Sequence, residues 1–419
     1  MTEQEPVALL ESVRVLDCSM LAPSGLGQHL ADLGADVIKV EAPGNGDYVR
    51  KLAWPIVRGN SLLHWRWNRG KRSLALDLRT SEGVEVFEEL VCNADVVVEG
   101  MRPGALARRG LGYDRLRRLN PAVVFCALSG YGGSGPYRDM ASHGIAYDAI
   151  AGLAPPGRTP DGFPTLTSYT QVGSHAAPLF GALGVLAAVI RARQTGEGVA
   201  LDVAQSDAAV VWNWMAIESA VAEQRPDDEV TGNDGDGKGG ERRAYGAGGM
   251  AAAVRYQYYE TSDGHVLFQA SERKFWRNFC VGIGREDLYD RAPGKEFADH
   301  ARGDHELRRT LAGIFAGRST AEWVEFGREV DTPIAPVYAG TAVLDDPQLK
   351  HRIGWLPAET HGVAMMRTPV RLTDAELAAP GPAPSVGEHG EQVLTELLGY
   401  DETRLRALRA AGAIPDTIK

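Results

Sequence analysis

In the first two hundred residues the apolar positions fall into short continuous runs. Each run is separated from the next by a stretch with helical spacing or by a cluster of glycine, proline and aspartate. Residues 13–17, 35–40, 73–78, 95–99, 123–128 and 199–203 predict strands, and residues 25–33, 82–92, 104–109 and 176–193 predict helices. Strands that alternate with helices predict a mostly parallel sheet covered on both faces, an α/β architecture. Ligands of such sheets bind beyond the carboxyl ends of the strands. The segments 19–24, 41–47, 79–81, 100–103 and 129–135 all fall at those ends, so five turns converge on one edge of the sheet.

The pattern changes further along the chain. Segment 225–249 is rich in glycine and charge, and reads either as a surface insertion or as a cover for a binding site. Near Tyr258 a strand-like run resumes, and the turn Ser262-Asp263-Gly264 predicts a β-hairpin. Helical spacing follows to about residue 330. Ile334-Ala335-Pro336-Val337 and Asp345-Asp346-Pro347 then lead back toward the first domain, 378–385 is a linker, and 391–398 and 403–410 predict terminal helices. The expected organisation is 1–220 as the first part of a large domain, 221–254 as the loop, 255–340 as a small domain, and 341–419 as a return to the large one.

Composition changes this picture only at its margins. A chain of 419 residues with 44% hydrophobic and 24% charged residues is long enough for two or three cores. Its net charge of −11 argues against nucleic acid as the main partner. Cys18, Cys92, Cys126 and Cys280 are far apart and form no metal-ligand spacing, so they read as reduced thiols, with no metal expected. Met1-Thr2-Glu3-Gln4-Glu5 lacks the features of a signal peptide, and the apolar stretch 176–190 is too short to span a bilayer. The expectation is a cytoplasmic protein with no membrane partner.

Candidate chemistry gathers in three blocks: Leu33-Gly34-Ala35-Asp36-Val37-Ile38-Lys39-Val40-Glu41, Asn68-Arg69-Gly70-Lys71-Arg72-Ser73-Leu74-Ala75-Leu76-Asp77-Leu78 and Val98-Glu99-Gly100-Met101-Arg102-Pro103-Gly104. Each ends a strand with backbone amides and fixed positive charge, which suits a phosphorylated carrier. In order and spacing the blocks resemble the class III CoA-transferase family, which includes carnitine and formyl-CoA transferases and α-methylacyl-CoA racemases. The resemblance is dense from about Val13 to Asp207. It implies a Rossmann-like large domain built from both chain ends, a smaller inserted α+β domain, and two subunits interlocked like links. It also implies coenzyme A, carried as an acyl-CoA substrate, and a carboxylic acid as the second substrate. The family's CoA contacts carry over to Leu21, Ala22, Pro23, Leu76, Arg79, Gly100, Met101 and Arg108. Arg50, Arg72 and Arg102 are further candidates by location. Gly100 and Met101 stand where family members usually have Asn and an aromatic residue.

The reacting groups depart from the family's pattern. Its transferases use an aspartate nucleophile four residues before a glycine that opens a long helix; here that glycine is Gly173 and the matching residue is Tyr169. No Asp or Glu lies between Asp161 and Glu197. A phenol with a pKa of about 10 is a poor substitute for a carboxylate. The racemase branch uses a histidine, and His143 in Ser142-His143-Gly144-Ile145-Ala146-Tyr147 takes that position, either as an α-proton base or as a loop histidine. Asp148 stands where transferases commonly have a structural acid. Three readings stay open: a class III CoA-transferase moving CoA between carboxylic acids, as the aspartate-lacking subunit beside a homologous aspartate-bearing chain; a racemase, epimerase or other α-proton enzyme using His143, to which a homodimer would point; and an acyl-CoA-binding protein without turnover. Trp54, Trp65, Trp67, Trp212 and Trp214 could line an acyl pocket or pack a core or subunit contact.

Overall fold

The structure is a computed structural model that describes residues 5–167, 170–226, 229, 250–295 and 299–416. Tyr169, and all of the glycine-rich segment 225–249 except residues 225, 226 and 229, lie outside the described residues. The chain forms two compact units, one of Met1–Asn213 with Ile353–Lys419 and one of Trp214–Arg352.

In the first unit six strands make a parallel sheet: β1 (Arg14–Ser19), β2 (Asp36–Glu41), β3 (Lys71–Ala75), β4 (Val96–Gly100), β5 (Val124–Ser129) and β6 (Ala200–Ala204). Their order is β6-β5-β4-β1-β2-β3. The order reverses between β1 and β4, which makes the ends of those two strands the point where a doubly wound sheet opens a crevice. The helices are α1 (Ser24–Ala31), α2 (Leu62–Asn68), α3 (Ser81–Cys92), α4 (Tyr113–Leu119), α5 (Ile145–Ile150), α6 (Val172–Thr195) and α7 (Gln205–Trp212). Leu16, Ile38, Leu74, Val97 and Phe125 face one side, packing on Phe87 and Leu90 of α3 and on Val393, Leu394, Leu405 and Leu408 of the C-terminal helices Gly390–Leu398 and Glu402–Ala410. Val15, Val37, Val96, Val98 and Val124 face the other, against Leu26 and Leu30 of α1 and Ala177, Val185 and Val189 of α6. Alternate strand residues thus feed two cores.

Three expectations need correction. The region 104–109 holds only a single 3₁₀ turn at Ala107–Arg109. The Glu99 carboxylate takes the N–H groups of Leu106 (2.6 Å) and Gly104 (3.3 Å), and that competes with helical pairing. Strand β3 ends at Ala75, not residue 78, because Asp77 already accepts from Thr80 in a turn. Helix α6 runs for 24 residues and is long and apolar enough to cross a membrane by composition. Its inner positions pack on the sheet, as a core helix of a globular fold does.

The second unit carries an antiparallel sheet of β7 (Tyr256–Glu260), β8 (His265–Gln269) and β9 (Ile334–Pro336). Phe268, Trp276, Phe279, Phe315 and Trp323 form its aromatic centre, with Phe279 and Phe315 stacked at 5.5 Å.

Candidate functional site

At the crevice, β1 ends in Asp17, Cys18 and Ser19, and the chain then turns sharply through Leu21 into α1. Leu21 has φ +58°, a strained conformation for a leucine, and its N–H donates to Asp47 (3.2 Å). That strain is held from beneath by buried charge. The Lys39 ammonium donates to the Ser19 carbonyl (2.6 Å), Ser24 Oγ (2.7 Å) and Asp47 (3.0 Å). Lys71 donates to Asp17 Oδ2 (2.7 Å) and to the Ser24 carbonyl (2.8 Å). Arg50 pairs with Glu41 at 2.7 Å, and Glu41 also accepts from Ser73 Oγ (2.7 Å) and the Asp47 N–H (2.9 Å). All six ionic side chains are buried.

Burial favours the protonated form of Asp17, but Lys71 and Lys39 more than offset this and hold its carboxyl below the usual range. A Cβ on Gly27 of α1 would come within 2.7 Å of Asp17 Oδ2. Burial, reinforced by the Arg50 guanidinium 3.0 Å from Nε2, pushes His64 down to about 3, so it is neutral in the fold. Asp17, Lys39, Glu41 and Lys71 are polar positions within the strands, whereas Asp47, Arg50 and His64 come from the turn and helix between β2 and β3.

Four candidate CoA contacts turn inward here. Ala22, Pro23 and Gly100 are buried, and a Cβ on Gly100 would sit 2.2 Å from Ser19 Cβ and 2.6 Å from Pro23 Cβ. Gly100 therefore lets β4 pass close to the β1–α1 turn. Leu76 lies in the core beside Phe87 and Leu90. These four could meet a ligand only through backbone. Leu21 and Met101 are part-exposed.

Beside this rigid floor the mouth is open. Leu78, Arg79, Thr80, Ser81, Val84, Arg108 and Arg109 line a groove of about 650 Å³ at the N-terminus of α3. The helix start is capped by Thr80, whose Oγ1 accepts from Gly83 N–H (3.0 Å). Arg79 makes a bidentate pair with Asp77 at 2.7 to 2.8 Å, whereas Arg108 donates to the Pro103 carbonyl (3.0 Å) and Arg109 to that of Ala105 (3.0 Å). Three guanidinium groups and a helix N-terminus on one groove can hold phosphate oxygens. A second cavity, of about 270 Å³, runs along β5 and β6 beside the end of β4. Met101, Pro103, Tyr113 and Phe125 give it apolar walls, and Arg138 and Asp202 a polar side. So Arg79 and Arg108 share one groove, and Met101 faces the neighbouring cavity. Of the other candidates, Arg50 belongs to the buried lattice and Arg72 pairs with Asp36 (2.8 Å) and Glu396 (2.9 Å).

His143 is exposed, and its carbonyl accepts from Ala146 N–H (2.9 Å) at the start of α5. The carboxylate that sits at the foot of α6 is Asp148, which sequence reasoning treated as structural. It is fully buried, Oδ1 accepts from Gly173 N–H (2.9 Å), and Oδ2 has no partner among the described residues. Burial raises its pKa. Trp65 donates from Nε1 to the Val57 carbonyl (3.1 Å), and Trp67 lies against Gly25 of α1, so both serve packing within the unit. No group of three metal-ligating side chains comes together among the described residues.

The chain is 31% identical to the succinyl-CoA–D-citramalate CoA-transferase of Chloroflexus aurantiacus, over 99% of this chain and all of that protein. It is 29% identical to the beta subunit of the succinyl-CoA–L-malate CoA-transferase of the same organism, over 97% of this chain and 98% of that one. The crystal structure of a CAIB/BAIF family protein from Brucella suis superimposes with a TM-score of 0.72 at 28% identity, covering 94% of this chain and 100% of that one. The model of CoA-transferase family III matches residues 10–390, and the chain belongs to that family.

Proposed function

We propose that this chain is the aspartate-lacking subunit of a CoA-transferase, seating the CoA thioester while a homologous subunit supplies the attacking carboxylate. The observation that carries this reading is the absence of Asp and Glu between Asp161 and Glu197, where the family's nucleophile falls on Tyr169. The groove of Arg79, Arg108 and Arg109 suits the CoA phosphates, and the cavity at Met101 suits the adenine or the pantetheine arm. A relative named as the beta subunit of a malate CoA-transferase supports a two-subunit enzyme.

The chemistry follows from the carboxylate. Its oxygen attacks the thioester carbonyl, the C–S bond breaks, and CoA thiolate leaves a mixed anhydride between enzyme and acyl group. The thiolate then attacks the enzyme's own carbonyl, which releases the first acid and leaves an enzyme thioester. The second acid reverses both steps. Held phosphates keep the thiolate in place between them. A subunit surface is also available. Along α6, Leu179, Phe180, Leu183 and Ile190 are exposed, continuous with Val211 and Trp212 of α7, where Phe180 and Trp212 meet edge-to-face at 6.4 Å. A stripe of this kind suits a second subunit.

Native mass spectrometry and a CoA-exchange assay test the proposal together. A complex of two different chains that is active, with this chain inert alone, is the expected result. Robust exchange by the lone chain would overturn it. In that case the Tyr169→Asp substitution, expected to confer exchange on the lone chain under our reading, would add nothing.

A further inference from the structure

Just before residue 168 the chain makes a short hairpin in which Gly157 pairs with Thr165 and Arg158 with Pro164. Between this hairpin and the start of α5 lies a cavity of about 240 Å³, lined by Ile145, Ala154, Pro155, Pro164, Leu166 and neighbouring residues. Thr165 and Thr167 give it hydroxyls, and among the described residues no ionisable side chain lines it. The nearest arginine in the chain, Arg158, is turned away and donates to the Gly162 carbonyl (2.9 Å) across the hairpin's own turn. Leu166, 73% exposed, forms the open rim of the notch.

We infer that this notch receives the acyl group, and that the acid exchanged is a monocarboxylic acid with an apolar body. The inference rests on the CoA-transferase reading, because Thr167, which lines the notch, precedes Tyr169 by two positions in the sequence. An apolar chain gains by leaving water here. The second carboxylate of a dicarboxylic acid would lose its hydration with no cation among the described lining residues to replace it. The cavity is smaller than sites for drug-sized ligands, which span roughly 300–1,000 Å³, so it fits a short chain of carbons.

Titration calorimetry on the protein, with whatever subunit copurifies, compares CoA, hexanoyl-CoA and adipoyl-CoA, the last two differing only in a terminal carboxylate. Hexanoyl-CoA is expected to bind about tenfold more tightly than CoA, and adipoyl-CoA no more tightly than CoA. Ala154→Phe fills the notch and should erase the hexanoyl advantage. Thr165→Arg supplies the missing cation and should reverse the order of hexanoyl- and adipoyl-CoA. Equal binding of the two thioesters, or a hexanoyl advantage that survives both substitutions, overturns the acyl assignment while leaving CoA binding intact. Failure to bind CoA itself overturns the transferase reading and this inference with it.

Discussion

The mouth of the sheet holds two sets of charges with opposite surroundings. Under β1, β2 and β3, Asp17, Lys39, Asp47 and Lys71 are sealed from water and satisfied by one another. A short distance along the same edge, Arg79, Arg108 and Arg109 open on a groove. The residue types are similar, but burial decides what each can do. A sealed pair cannot release a partner to meet a ligand, because the bare charge would stay in a low-dielectric interior. It can hold a strained turn such as Leu21 in place. An open guanidinium holds nothing rigid, yet it can exchange water for phosphate at little cost.

The comparison breaks first at the lattice. Lys71→Met should leave Asp17 buried without its cation and cost about 3–5 kcal/mol of stability, read from denaturant unfolding. A loss below about 1 kcal/mol would show that the pair is not isolated from water. Acid probes the same floor. His64 has a folded pKa of about 3 against an ordinary 6.5, so the unfolded chain binds the extra proton between those values. Its contribution is complete above pH 6.5 and is lost as pH falls toward 3, on the order of 5 kcal/mol. His64→Asn should flatten the stability profile over that window; an unchanged profile would reject the neutral buried imidazole.

The groove should behave in the other way. Arg108→Ala is expected to weaken CoA binding about tenfold with almost no change in melting temperature. Calorimetry and a thermal scan on one sample read both. Arg79→Ala should cost less, about threefold, because Asp77 already meets most of that guanidinium's charge. If Arg79 proves the stronger contact, the Asp77 pair opens when ligand arrives.

The strands were legible because apolar runs of five residues between helical stretches have few other interpretations. Their ends moved by one to three residues. The small shift mattered at Leu76: as the strand stops at Ala75, its side chain falls into the core and not on the mouth. The ionic lattice was not legible. Lys71 and Asp17 are 54 residues apart, and no local pattern chooses that partner. Helix α6 begins four residues before its apolar run suggested, since Asp148, 25 residues upstream, receives the Gly173 N–H. Helix α2 was missed because Trp65, Arg66 and Trp67 show no apolar stripe; its evident signal is Ser61, whose side chain accepts from His64 N–H. Arg79 and Arg108 were found from the family's motif, and the fold brings them to one groove.

One wall of the first unit's core comes from the far end of the chain: Val393, Leu394, Leu405, Leu408, Ala413 and Ile414 cover Leu74, Phe87 and Leu90. During synthesis the ribosome delivers these residues after every strand of the sheet. At about 5–20 residues per second, the sheet emerges ten to forty seconds or so before its lid, with an apolar face uncovered throughout. Until those residues arrive, the nascent chain shows apolar surface that favours association, a hazard that its finished stability does not reveal. Deletion of residues 390–414 is expected to be felt during folding rather than in activity.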